Sequence, residues 1–281
     1  LNSLSDNELL QYIREDLPYF DLTTHLLCSE FSPARLEIIT RDTIVVACIE
    51  EAARIAQLLG AKVLFAATSS SKLQSGETLL TLSAKGDILH QAWKLCQVFL
   101  EYSCGMATYA NTMLHEAKSV NPKCEIFVTR KSIPFTKRFA IRALLSGGIL
   151  PHRLGLSETI LVFSHHRALF QDKESFENAF LQMKEKAVEK KIIVECKFFE
   201  DAIEMLTLGA DVIQMDKSDV QTLHQIVAYR TKHFPHAKIL ATGGVHIHNV
   251  KEFARTGVDA IVTSSPYQAK MADIGTKWSN L

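Results

Sequence analysis

Cysteine is scarce and shows no paired spacing: six occur in 281 residues, at positions 28, 48, 96, 104, 124 and 196, with no C-x-x-C pair. That is too few for a disulfide scaffold and gives no zinc framework, so reduced, mostly buried thiols of a cytoplasmic protein are expected. An excess of one charge sign is also missing. Lys plus Arg and Asp plus Glu both number 31, so no global field draws in nucleic acid and any anion site has to be local. No apolar run approaches the length of a membrane span. The opening stretch LNSLSDNELLQYI is polar and acidic rather than a charged-then-apolar leader. Neither G-x-G-x-x-G nor a Walker loop is found, which removes those nucleotide fingerprints. What remains is 47% hydrophobic and 22% charged residues, the composition of a soluble globular protein with a real core. The length suits one large domain such as an α/β barrel, or two medium ones.

Two rhythms run along the chain. Ser5 and Glu8 form a capping box ahead of Leu9, Leu10 and Ile13. ARLEIIT (34 to 40) and IVVACI (44 to 49) read as strands, EEAARIAQLL as a helix ending at Gly60, and KVLFAAT and ETLLTLSA as strands around a Ser75-Gly76 turn. Residues 87 to about 119 read as two helices joined near Cys104-Gly105. This part is expected to be α+β with an antiparallel sheet. From Cys124 onward, EIFVT, TILVF, KIIVEC, DVIQM, KILAT and DAIVT alternate with helical stretches around 136 to 145, 175 to 188, 199 to 208, 218 to 233 and 247 to 256. Short apolar strands alternating with amphipathic helices imply parallel βαβ units, and six at regular spacing favour an incomplete barrel.

In such a barrel the chemistry sits where strands end. The strand ends here carry Arg130 and Lys131, then His152 and Arg153, Phe163 followed by Ser164, His165 and His166, Glu195, Asp216 with Lys217, Gly243-Gly244, and Ser264-Ser265. Each has a bland reading: a solvated surface pair, a structural histidine, a helix cap at Asp216, a plain turn at the glycines. Glu195, however, follows Ile192-Ile193-Val194, and a carboxylate there calls for a partner. Arg, Lys and His donors suit carboxylate or phosphate, and two carboxylates among them suit Mg²⁺ or sugar hydroxyls. The glycines ahead of a helix would expose N–H groups to a phosphate. Together they describe a sugar-phosphate substrate with a metal-bound pyrophosphate and an acidic co-substrate.

The sequence resembles the quinolinate phosphoribosyltransferase (nicotinate-nucleotide pyrophosphorylase) family, most closely its ModD branch, found with molybdate-transport genes. The likeness covers nearly the whole chain: Asp21-Leu22-Thr23-Thr24, Gly105-Met106-Ala107-Thr108, TRKSIP (129 to 134), PHRLGLSETILVF (151 to 163), Glu195, MDKS (215 to 218), ATGGV (241 to 245) and the closing PYQAKMADIG. The spacings Lys131 to His152 and Glu195 to Asp216 are its specific part. The resemblance implies an N-terminal α/β sandwich domain, residues 1–108 joined by the tail 268–281, and an incomplete (β/α) TIM-like barrel, residues 109–267. It also implies a homodimer, or an assembly of dimers, whose sites borrow from the neighbour, and transfer of phosphoribosyl from phosphoribosyl pyrophosphate to quinolinate with release of pyrophosphate and carbon dioxide. By position, Arg130, His152 and Arg153 would contact an acidic aromatic acceptor. Lys131, Glu195 and Asp216 would be catalytic, holding phosphoribosyl pyrophosphate, with the two carboxylates on Mg²⁺. Gly243, Gly244, Ser264 and Ser265 would seat the 5′-phosphate.

Departures from the family pattern concentrate on the acceptor side. Trp93-Lys94 stands where quinolinate enzymes have Glu-Arg, Phe163 where they have Lys, and Ser164-His165-His166 where they have Asp-Asn-His; Ile149 replaces a glycine and Lys217 an Asn. Phe163 and Lys94 together remove a bidentate carboxylate clamp. The expectation is a phosphoribosyltransferase with an altered acceptor pocket. A genuine quinolinate enzyme, a lyase or aldolase with Lys131 or Lys217 as Schiff base, and a non-catalytic phosphate-binding or regulatory protein are the alternatives.

Overall fold

A computed structural model describes residues 3–27 and 31–280, leaving Cys28 and the expectation of its burial outside the described residues. Cys48, Cys96, Cys104, Cys124 and Cys196 are free and buried, as a reduced chain would have them. The chain divides into two units, Leu1–Asn111 with Ser132–Gly148 and Pro266–Leu281, and Thr112–Lys131 with Ile149–Ser265.

In the first unit the Ser5 side chain accepts from the Glu8 N–H and Glu8 reciprocates, starting α1 (Asp6–Asp16). After α2 (Leu22–Leu27), strand β1 (Pro33–Thr40) alternates, burying Leu36 and Ile38. IVVACI is not one strand: β2 covers only Ile44–Val45, Cys48 turns the chain at φ 54, and α3 (Ile49–Leu58) begins. A continuous apolar run carries no period, and here its last residue joins the helix face with Ala52, Ile55 and Ala56. Gly60, at φ +97, follows that helix. Then come β3 (Lys62–Ala66), β4 (Lys72–Leu73) and β5 (Thr78–Lys85). With the closing strand β13 (Ile274–Asn280) they form an antiparallel sheet in the order β13-β1-β5-β3, and β2 pairs with β4.

The stretch after Gly86 corrects a second expectation: it is one helix, α4 (Gly86–Val120), not two. Gly105 does not break it. A Cβ there would strike the carbonyl of Lys270 and come within 3.1 Å of Met271 Cα, so glycine lets the returning tail press against the helix. On α5 (Lys137–Ser146), Arg142 reaches the fully buried Glu51 of α3 at 2.7 Å.

The second unit starts from β6 (Glu125–Val128) and β7 (Leu150–Pro151). It continues through β8 (Ile160–Val162), the short α6 (Ser164–Arg167), α7 (Lys173–Lys186), β9 (Ile192–Cys196) and α8 (Phe199–Thr207). It ends with β10 (Val212–Asp216), α9 (Val220–His233), β11 (Lys238–Thr242), α10 (Val250–Arg255) and β12 (Ala260–Thr263). Among the described residues seven strands pair in the order β7-β6-β12-β11-β10-β9-β8, all parallel. The last strand, β12, pairs with the first, β6, which curls the sheet into an incomplete barrel open between β7 and β8. The two-residue β7 is the strand that periodicity could not reveal. Inward positions build the interior from Leu161, Ile193, Val212, Leu240, Ala260 and Val262, with Phe127 and Phe163 packed against them. Because all seven strands run the same way, every carboxyl end opens on one rim.

Candidate active site

That rim gathers most of the residues singled out from the sequence. A cavity of about 360 Å³ is lined by Arg130 and Lys131 beyond β6, His152 and Arg153 beyond β7, Phe163 beyond β8, Glu195 on β9 and Asp216 ending β10. Thr129, Leu161, Gln214, Thr242 and Val262 complete its walls. It opens into a wider basin that adds Leu156, Thr159, His165, His166 and Lys217.

The bland reading of Asp216 as a helix cap does not hold. The cap of α9 is Asp219, whose side chain accepts from the Thr222 N–H at 2.7 Å, so Asp216 is left to the cavity. No side-chain hydrogen bond caps α8 after Glu195 either. Burial, and then the charge of Asp216, raise the Glu195 carboxyl above its ordinary value. Two like charges share a wall and call for a cation. The cationic side is crowded too. Arg153, 9% exposed, is shifted down by burial and by Arg130, though a guanidinium stays charged. His152 is shifted down by burial and then by Arg153, which favours the neutral ring, and its Nε2 is buried without a partner among the described residues.

Phe163 holds a defined place. Arg153 stands over its ring at 5.7 Å from the centroid, the His166 ring lies at 5.7 Å, and the Phe163 N–H donates to His166 Nδ1 at 3.0 Å. Lys217 sits in the left-handed region at φ 54, with its N–H donating to the Thr242 carbonyl. That conformation is costly for a long side chain and tolerated by Asn, the residue expected there from the family resemblance.

The glycines and serines stand on the same rim, outside the walls of the cavity. Gly243, at φ +88, faces Asp216 and Lys217: a Cβ would fall 2.9 Å from Asp216 Oδ1 and 2.6 Å from Lys217 Cγ. Gly244, at φ +73, faces open space. They do not lead directly into a helix, since α10 starts at Val250 and the Asn249 side chain donates to the Gly244 carbonyl instead. Ser265 turns to its own strand end, its N–H donating to Thr263 Oγ1, while Ser264 is half-buried on the same rim. Neither serine nor either glycine lines the cavity. Lys94 belongs to the first unit, where its Nζ lies 4.9 Å from the Trp93 ring centroid and 3.4 Å from Gln97 Oε1.

The residue that sequence reasoning missed is Gln214. It lies two positions before Asp216 on β10, so the alternation that points Asp216 inward points Gln214 inward as well. That phase was the available signal.

The donor set fits Mg²⁺. Among the described residues no group of three or more His, Cys, Asp or Glu side chains could hold a metal, so an ion at Glu195 and Asp216 would complete its shell from substrate and water, as Mg²⁺ does at phosphate sites.

A curled parallel sheet that joins cations and a carboxylate pair at its carboxyl rim defines an α/β-barrel enzyme with an anion-accepting site. The family model for the C-terminal domain of quinolinate phosphoribosyl transferase matches residues 106–277, and that for the N-terminal domain residues 21–104. The chain belongs to the quinolinate phosphoribosyl transferase family, is a pentosyltransferase-type enzyme, and is ModD-like within it. It is 37% identical over 270 residues to the ModD protein of Pasteurella multocida (strain Pm70), a pyrophosphorylase by name, with 96% of each chain covered. To the carboxylating nicotinate-nucleotide pyrophosphorylase of Mycobacterium leprae (strain TN) it is 26% identical over 269 residues, covering 94% of this chain and 93% of that one. The crystal structure of NadC from Streptococcus pyogenes shares the fold at a TM-score of 0.87 and 22% identity, over 98% of both chains. Among the described residues no helix is long and apolar enough to cross a membrane.

Proposed function

We propose that this enzyme transfers a phosphoribosyl group from phosphoribosyl pyrophosphate to an aromatic acid, releasing pyrophosphate, and that its acceptor differs from quinolinate. The observation that carries this reading is the single cavity in which Glu195 and Asp216, neither of them a helix cap, face Arg130, Lys131, His152 and Arg153. In the reaction the bond from ribose to pyrophosphate breaks as the bond from ribose to acceptor forms. Glu195 and Asp216 would hold Mg²⁺, which when bound supplies charge neutralisation to the pyrophosphate. Lys131 adds a point charge on the pyrophosphate side. Arg130 and Arg153 orient the acceptor's carboxylate, and His152, kept neutral, offers a hydrogen bond without another charge. Gly243, Gly244, Ser264 and Ser265 lie on the same rim as the candidate 5′-phosphate seat. Phe163 presents an apolar face where a lysine would clamp a second carboxylate, which supports an acceptor with fewer anionic groups.

The working form in this reading is a homodimer, or an assembly of dimers, with Lys94 entering the neighbour's site. Tyr19, Phe20, Leu22, Leu26 and Leu27 support it: all are exposed, and α2 buries none of its residues. The compartment is the cytoplasm, consistent with the five free thiols among the described residues. Calorimetry with phosphoribosyl pyrophosphate, with and without Mg²⁺, tests the donor side. Pyrophosphate release in a screen of pyridine, purine and pterin carboxylates tests the acceptor side. Absence of Mg²⁺-dependent donor binding would overturn the reading.

A further inference from the structure

Gln214 is 5% exposed, lines the cavity, and stands as the register partner of Glu195 on the neighbouring parallel strand. The N–H side of the Gln214 amide favours the ionised form of the neighbouring Glu195, a carboxylate that can then only accept. The other half of the amide, Oε1, is buried and has no partner among the described residues. A buried carbonyl left without a donor is uncommon, and one that lines an active-site cavity asks for a donor from the ligand. The surroundings say which part of the ligand reaches it. Gln214 lies one inward position deeper than Asp216 and one above Val212 of the apolar interior, and Leu161 and Val262 flank it in the cavity wall. Beside the Glu195 carboxylate, an apolar wall with one unpaired amide carbonyl suits the edge of an aromatic ring bearing an N–H. A sugar phosphate has no such face.

We propose that Gln214 determines acceptor specificity, and that the acceptor is an aromatic acid carrying a hydrogen-bond donor, an amino group or a ring N–H, presented to Gln214 Oε1. This deepens the reading above and rests on it. Quinolinate as its dianion offers only acceptors, so it would bury the Gln214 carbonyl unpaired. A site built around a hydrogen bond rejects analogues that lack the matching group more strongly than a merely apolar one does. The inference therefore gives the altered pocket a positive role: Phe163 removes one cation's demand for a carboxylate, and Gln214 adds a demand for a donor.

Three probes separate these demands: 2-aminobenzoate, benzoate and benzene-1,2-dicarboxylate, titrated calorimetrically into the full chain with Mg²⁺ and pyrophosphate present. The expected result is that 2-aminobenzoate binds wild type about tenfold more tightly than benzoate, a hydrogen bond's worth. In Gln214→Met the preference falls below about threefold. Gln214→Leu repeats the test should the methionine variant fold poorly, and the absence of a wild-type preference is decisive without either. Equal binding of 2-aminobenzoate and benzoate by wild type overturns the inference, as does a preference that survives in the variants. A Gln214→Met protein that loses phosphoribosyl pyrophosphate while keeping the amine preference assigns the carbonyl to ribose and also overturns it. Wild type that binds phosphoribosyl pyrophosphate but shows no amine preference refutes this inference alone. Wild type that binds neither donor nor aromatic acid refutes the parent reading as well.

Discussion

The guanidinium carbon of Arg153 stands 5.7 Å from the centroid of the Phe163 ring, within cation–π range, so the residue that replaces an expected lysine is held by a cation that the proposed reading assigns to the acceptor. Quinolinate turnover by the wild-type chain is accordingly expected to be weak or absent. Each missing charge-assisted hydrogen bond is worth about 1.5–3 kcal/mol, roughly ten- to a hundredfold in kcat/KM. Phe163→Lys combined with Lys94→Arg should recover part of that. Steady-state kinetics with quinolinate decide it, and ordinary family turnover by wild type would restore the plain quinolinate assignment.

Removing either carboxylate should act on binding rather than on folding. Glu195→Ala and Asp216→Ala are expected to weaken Mg²⁺-dependent binding of phosphoribosyl pyrophosphate by at least about tenfold, because in the proposed reading the metal would lose an oxygen ligand. The melting temperature should not fall, since Asp219 is the cap of α9 and no side-chain cap is made by Glu195. Unchanged affinity in both variants would remove the basis for this site.

The acid range offers a separate check. Burial and the neighbouring Asp216 raise the Glu195 carboxyl above its ordinary 4.5, so the folded chain holds this proton more tightly than the unfolded chain. The stability that the proton contributes is fully present below 4.5 and is lost as pH climbs through the folded value. Denaturant titrations should therefore show Glu195→Gln gaining stability relative to wild type as pH rises from 4.5 toward neutrality. Mg²⁺ pyrophosphate, by favouring the ionised pair, should release protons on binding in weakly acidic buffer, readable by calorimetry in buffers of different ionisation heat. A flat difference with no proton release would contradict the arrangement.

Gly105→Ala sets two effects against each other. Alanine favours a helix over glycine by about 1 kcal/mol, whereas forced overpacking costs about 1–3 kcal/mol. The clash is with backbone of Lys270 and Met271, which cannot rotate away, so net destabilisation is expected in urea melts. A more stable variant would mean that the tail yields easily.

Association is tested by mass. Sedimentation at micromolar concentration should give twice the 31.5 kDa chain or a multiple of that, and Leu26→Asp with Leu27→Asp should shift it toward the monomer. A wild-type monomer would contradict the assembly and with it the role given to Lys94.

Much of this protein was written in local pattern. Short apolar strands spaced by amphipathic helices required parallel βαβ units, and parallel strands put Arg130, His152, Glu195 and Asp216 on one rim whatever the loops did. The capping box at Ser5 and Glu8 is equally local. Other features depended on contacts distant in sequence. Gly105 looked like a helix break until the tail's approach gave it another reason, and IVVACI carried no period by which its last residue could be assigned to a helix. Asp216 read as a cap candidate in sequence, and the hydrogen bond from the Thr222 N–H gives that role to Asp219 instead. Gln214 was one polar letter in an apolar strand. Its isolation follows from what the neighbouring strands present: the Glu195 carboxylate, which when ionised can only accept, and Leu161 and Val262, which offer its carbonyl nothing. Periodicity decides which way a side chain points, while the packing of distant strands decides what it meets there.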